Sequence, residues 1–169
     1  ETMIHVQLTA VDEWWSWALQ RITNCRYSHS RLVRTRGPWK RWVIDAHIVP
    51  GFSADGAAID KGVAYRDPES IPTTRVLDII FADAPDSIEE KAESLIGRPY
   101  GMRSLFAFAF PWMLRKDWTE REGFTCAELI AYCTMMDRYP LRHPNASFHV
   151  VTPRDLMLSS FGKWEEATV

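Results

Sequence analysis

The sequence predicts an α+β fold in which a small antiparallel sheet packs against helices. Three observations lead there. Residues 28–36 and 39–49 read as two strands around a Gly37-Pro38 turn, further strand candidates follow at 63–65 and 75–81, and three segments carry apolar residues at helical spacing. With the alternating residues 4–8 these candidates make a sheet of four or five strands.

Asp12 precedes Trp14, Trp15, Trp17, Ala18 and Ile22, which are spaced for the buried face of a helix. Trp14 and Trp17 are therefore expected in the core. The strand over 28–36, the turn and the strand over 39–49 form a β-hairpin, and Pro50-Gly51 opens a Gly/Ala/Asp-rich loop reaching Gly62. Asp86 or Ser87 can cap a helix running to Leu95, stopped by Gly97-Arg98-Pro99. Residues 105–112 are expected to be helical until Pro111 interrupts them. Their aromatics, Phe106, Phe108, Phe110 and Trp112, fit core packing better than the wall of an acyl pocket. After Gly123, Thr125 can cap a helix carrying Cys126, Leu129, Ile130 and Cys133, and a last short helix begins at Thr152-Pro153.

A chain of 169 residues, 46% apolar and 12% aromatic, has material for one core, and no repeat or linker divides it. A single domain over 1–169 is the expectation. Twenty basic and 22 acidic residues give a net charge of −2, so no basic excess argues for nucleic acid or an anionic membrane as partner. The longest apolar run, 105–114, falls well short of the roughly 20 residues that span a bilayer. The start, Glu1-Thr2-Met3, has no basic stretch followed by an apolar one, so no secretory signal is expected in this segment. Three cysteines without CxxC spacing suit neither a disulfide framework nor a structural zinc site; they favour a reducing, cytoplasmic setting.

A thiol becomes a strong nucleophile as thiolate, and a helix N-terminus favours that charge. Cys126 has that position. The competing role is a small buried hydrophobe, the usual fate of a free cysteine. Cys133, roughly 10 Å further along the same helix, is expected to pack. Cys25, beside Arg26 at a helix-to-strand turn, is the weaker nucleophile candidate. His29 begins a strand, and a hairpin turning at Gly37-Pro38 sets residue 45 or 46 across from it. Asp45 fits as the group that orients His29, with His47 as the substitute if the register slips by two. An aspartate inside Val43-Ile44-Asp45-Ala46 needs a partner, and a structural arginine is the alternative. His29, His47, Asp45 and Cys126 have atoms suited to zinc, but their spacing does not demand it. No metal and no cofactor are expected, and His5, His143 and His149 are given no role.

Tyr27-Ser28-His29, Val43-Ile44-Asp45-Ala46, Gly62-Val63, Gly97-Arg98-Pro99-Tyr100, Phe124-Thr125-Cys126-Ala127-Glu128-Leu129 and Val151-Thr152-Pro153-Arg154-Asp155-Leu156 occur in that order. Together they resemble the circularly permuted NlpC-like papain-fold hydrolases, the YaeF/YiiX group, over about residues 4–161. The resemblance implies a papain-like fold with Cys126 as nucleophile at the start of the central helix, His29 as base and Asp45 as orienter. Tyr100 maps to a tyrosine lining the site, and Tyr27 and His47 are the other residues expected to meet substrate. Ala127, Gly101 and Asp45 depart from the serine, aspartate and glutamate common in the group. The implied activity is cleavage of an amide, in a peptide or cell-wall peptide, or of an ester, through an acyl-thioester. Lipid acyl hydrolysis or transfer on the same fold is the alternative, and a non-catalytic binding module the reading from another class. A lipid enzyme calls for a hydrophobic groove beside Cys126, and a peptidase for a polar, extended cleft.

Overall fold

The computed structural model describes residues 4–36, 41–81, 85–102, 104, 123–135, 151–158 and 163–167. The chain is α+β. Its strands, all antiparallel, are β1 (Ile4–Ala10), β2 (His29–Val33), β3 (Val43–His47), β4 (Gly51–Phe52), β5 (Ala58–Ile59), β6 (Gly62–Arg66), β7 (Arg75–Phe81) and β8 (Lys163–Ala167). They form an eight-stranded sheet in the order β5-β4-β6-β3-β2-β1-β7-β8, larger than the four or five strands expected. The additions are the two-residue strands β4 and β5, too short to alternate, and β8, whose Lys-Trp-Glu-Glu-Ala lacks an apolar face.

Pairing explains the faces. Val6 stands opposite both Leu32 and Ile79, Leu32 opposite Ile44, and Ile44 opposite Tyr65, so these side chains share one apolar surface. On the other face Gln7 lies between Arg31 and Asp78, and Arg31 Nε donates to Gln7 Oε1 at 2.9 Å. The described helices are α1 (Trp14–Thr23), α2 (Ser87–Ser94), α3 (Cys126–Met135) and α4 (Pro153–Met157). Ala127, Leu129, Ile130 and Cys133 of α3 join the apolar surface, with Ile88 and Ala92 of α2 beside them. Arg34 at the end of β2 pairs with Glu93 of α2 at 2.5 Å, and the Thr35 hydroxyl donates to Glu89 at 2.6 Å. Burying that surface supplies the main cohesion between helices and sheet.

Helix α1 departs from expectation. Trp14 is 80% and Trp17 68% exposed, and the residue it buries completely is Ser16. The Ser16 hydroxyl pairs with the Ser28 hydroxyl at 2.6 Å and accepts from the Val11 N–H and the Gln20 amide. A polar anchor thus sets the helix rotation and turns two tryptophans outward. Glu13 occupies the N-cap, without a side-chain bond, and Asn24 ends the helix in the left-handed region at φ 49°. The Gly37-Pro38 turn, the aromatic segment 105–114, His143 and His149 lie outside the described residues.

Candidate active site

His29 is the first residue of β2, held in the sheet opposite Thr9, and Asp45 is the middle residue of β3. The β2–β3 ladder pairs Leu32 with Ile44 and Val33 with Val43. Continued in step, that register sets His29 across from His47, one or two residues beyond the hairpin estimate. The two rings do meet, edge to face with centroids 4.6 Å apart. The hydrogen bond nevertheless runs diagonally, from His29 Nε2–H to Asp45 Oδ2 at 2.8 Å. Asp45, not His47, is thus the carboxylate partner of His29.

The other Asp45 oxygen, Oδ1, accepts from Arg66 Nη1. Both groups are sealed from solvent, Asp45 at 0% and Arg66 at 1% exposure. Arg66 also donates to the carbonyls of Asp45, Val49 and Gly62 at 3.1, 2.7 and 3.1 Å. A buried guanidinium with this many acceptors fixes the carboxylate plane that in turn fixes the His29 ring. Sequence reasoning named a structural arginine only as a rival to His29; the carboxylate has one oxygen for each. Its signal was a lone arginine closing the apolar run Gly62-Val63-Ala64-Tyr65.

Cys126 is the first residue of α3. Thr125 and Glu128 close a capping box ahead of it: the Thr125 N–H donates to Glu128 Oε2 at 2.8 Å and the Glu128 N–H to Thr125 Oγ1 at 3.4 Å. Cys126 is 6% exposed, and its thiol lies beside His29, close enough to feel its charge. Since Nε2 of His29 is committed to Asp45, Nδ1 is the nitrogen left for sulfur.

Backbone bonds bring the sequence motifs together around this pair. The Val63 N–H donates to Arg98 O and the Gly97 N–H to Val63 O, both at 2.8 Å, clamping the Gly97–Tyr100 loop onto β6. Gly62 has φ +120°, and a Cβ there would stand 2.1 Å from Arg98 O. On the other side Tyr100 bridges Phe124 in parallel, with Gly101 N–H to Phe124 O at 2.9 Å and Phe124 N–H to Pro99 O at 3.1 Å. Tyr100 is held beside the start of α3 by these bonds.

Burial opposes charge on all three residues, and their mutual attraction outweighs it. His29 is raised to about 9 by Cys126 and Asp45. Asp45 is lowered to about 2 by the His29 hydrogen bond and charge, then by Arg66. The Cys126 thiol falls below its ordinary 9.0 through His29 and the backbone of Ser30. The arrangement favours thiolate and imidazolium over the neutral pair. Burial, with repulsion from His29, takes His47 down to about 3 and keeps its ring neutral. Burial, then the nearby Cys126 and Glu128, pushes the Tyr100 phenol well above its usual range.

Two hollows meet here. A small one of about 20 Å³ includes Cys126, Thr125, Val151, Thr152 and Pro153 in its wall. A larger one, about 310 Å³, is walled by α1 together with His29, His47 and Tyr100. The cap at Thr152, a capping box with Asp155 and Pro153 in the first turn, places α4 against the thiol side. Tyr100 and His47 line these spaces. Tyr27 does not: it is 3% exposed, packs in the core cluster and walls neither hollow. Cys133 and Cys25 are buried in that same cluster, and burial pushes the Cys25 thiol up. Among the described residues no group of three or more His, Cys, Asp or Glu is disposed to hold a metal ion, and no helix is long and apolar enough to cross a membrane. No family model, curated protein or solved structure matches this chain.

Proposed function

We propose that this chain is a cysteine hydrolase of the papain-like, permuted NlpC type, which cleaves an amide or ester through an acyl-thioester on Cys126. The observation that carries the reading is His29, set between the Cys126 thiol on one side and, hydrogen-bonded to it on the other, a buried, arginine-pinned Asp45. A non-catalytic module would have no call on that geometry and would tolerate a His29 turned away.

In the mechanism His29 Nδ1 holds the thiol proton and the Cys126 thiolate attacks the carbonyl carbon. The C–S bond forms, and the carbonyl electron pair moves to oxygen. That oxyanion meets the Cys126 backbone N–H, an unpaired donor of the first helical turn. Collapse expels the amine or alcohol, which takes the proton from His29, and leaves the thioester. Water, deprotonated by His29, then attacks the thioester and releases the acid with regeneration of the thiol. An amine or alcohol acceptor in place of water makes the same site a transferase.

The test is turnover of p-nitrophenyl acetate with peptide mass spectrometry of the quenched enzyme. An acetyl group on Cys126, absent from Cys126→Ser and much reduced in His29→Ala, is the expected result. Release of p-nitrophenol that survives Cys126→Ser would reject the assignment.

A further inference from the structure

The larger hollow has a composition that restricts what enters it. Trp15, Ala18 and Leu19 form its α1 side, and among the described residues no Lys, Arg, Asp or Glu lines it. Trp14, Ile22, Ile48 and Met102 also belong to its wall and stand well exposed, so its rim is apolar as well as its interior. Large apolar side chains grouped around an opening mark a binding site more often than a bare surface.

Its polar groups are few and fixed. The Val49 N–H donates to His47 Nδ1 at 3.1 Å, which leaves the His47 proton on Nε2. That Nε2 is buried and has no hydrogen-bond partner among the described residues. Trp15 and His29 pack edge to face on the same ring, at 5.9 and 4.6 Å between centroids. Apart from His29 itself, the described residues therefore offer this space no charge to complement a charged side chain or a phosphate.

Leu19, Ser28 and Tyr100 are common walls of this hollow and of the one containing Cys126. A chain lying among the tryptophans is thus one step from the thiol. From this continuity we infer that the hollow binds an unbranched aliphatic chain attached to the scissile ester or amide, lying against Ala18 and Ile22 of its wall. This rests on the hydrolase reading above and names its substrate class. About 310 Å³ lies at the small end of ligand sites, which suits a chain of medium length rather than a folded peptide segment.

Two measurements separate this inference from the hydrolase reading. The first is binding to the Cys126→Ser protein of two uncleaved amides, N-methyloctanamide and N-octylacetamide, with the chain on opposite sides of the carbonyl, followed by tryptophan fluorescence. At least one should bind and N-methylacetamide should not, with affinity lost in Ala18→Trp, which fills the space, and in Ile22→Asp, which charges its wall. The second is kcat/KM of the wild-type protein for p-nitrophenyl acetate and octanoate and for octyl acetate. Gains on the order of tenfold or more with the longer chain, on either side, are expected from burying methylenes, with the ratio returning to about one in both variants. Acetate turnover through Cys126 without chain preference, together with no amide binding, would overturn the inference and leave the hydrolase reading standing. Chain-dependent binding of the amides without any acylation of Cys126 would instead sink the hydrolase reading and reduce the hollow to a binding site for aliphatic chains.

Discussion

At the residue scale the central arrangement is a chain of four side chains: Arg66, Asp45, His29 and Cys126. Each link removes a degree of freedom from the next. Arg66 takes one carboxylate oxygen, so the other points at His29; His29 spends Nε2 on it, so Nδ1 faces sulfur. Replacing Arg66 by Met leaves a buried carboxylate with half its partners. Unfolding in urea should then show a loss of about 3–5 kcal/mol, the usual cost of breaking a buried pair from one side. Wild-type stability in that variant would mean that Asp45 is held without the arginine. His29, Asp45 and Cys126 were legible in the sequence because each breaks a local pattern: a histidine opening a strand, an aspartate in an apolar run, a cysteine behind a cap. Arg66 was not, because its partner lies 21 positions away and reach across strands cannot be read from one strand.

At the element scale, strands and caps were readable where alternation and end signals were strong, as in β7 and α2, which lie where the pattern put them. Helix α1 was misread because spacing reports a stripe of large apolar residues and not which way it faces. The Ser16–Ser28 bond decided the direction, and it turned part of the stripe toward the hollow beside His29. Gly62 shows how an element fixes the site from outside it. A Gly62→Ala protein must move the Arg98 carbonyl and strain a left-handed backbone, for roughly 1–3 kcal/mol from the strain alone. Its melting temperature should fall, and its Cys126 should alkylate more slowly as the Tyr100 loop loosens; an unchanged melting temperature would contradict the clamp. The cap of α3 carries a titration of its own. Burial pushes Glu128 up to about 7 against the pull of the Thr125 N–H.

At the scale of the whole molecule these groups set the pH profile of stability. Below about 6.5 the unfolded chain protonates His47, whose folded value is about 3, and so takes up a proton that the native state refuses. The lowered Cys126 thiol works in the same direction, since the folded state gives up that proton more readily than the unfolded chain does. The raised His29 acts in the opposite sense between 6.5 and about 9, binding a proton in the folded state that the unfolded chain has lost. Glu128 likewise acts against His47 between 4.5 and about 7, binding its proton in the folded state. Between about 4.5 and 6.5 the gain in stability with pH from His47 is offset by the loss from Glu128, and stability changes little through these two groups. It falls more steeply below 4.5, where Glu128 stops compensating and Asp45, folded value about 2, begins to lose its contribution. Glu128→Gln should steepen the 4.5 to 6.5 limb by about one proton in urea titrations; a slope unchanged by that substitution would remove Glu128 from the account. The α+β class was legible at this scale. The eight-stranded extent was not, because β4, β5 and β8 gain their strand character from neighbours and not from their own pattern.

The most direct test of the central claim is the rate of iodoacetamide labelling of Cys126 as a function of pH, mapped by peptide mass spectrometry and compared with His29→Ala. A thiolate stabilised by His29 labels at an undiminished rate below pH 7, far under the ordinary thiol value of 9.0, and loses that advantage in His29→Ala. Labelling that tracks an ordinary thiol in both proteins would contradict it and leave Cys126 as a buried residue of the fold.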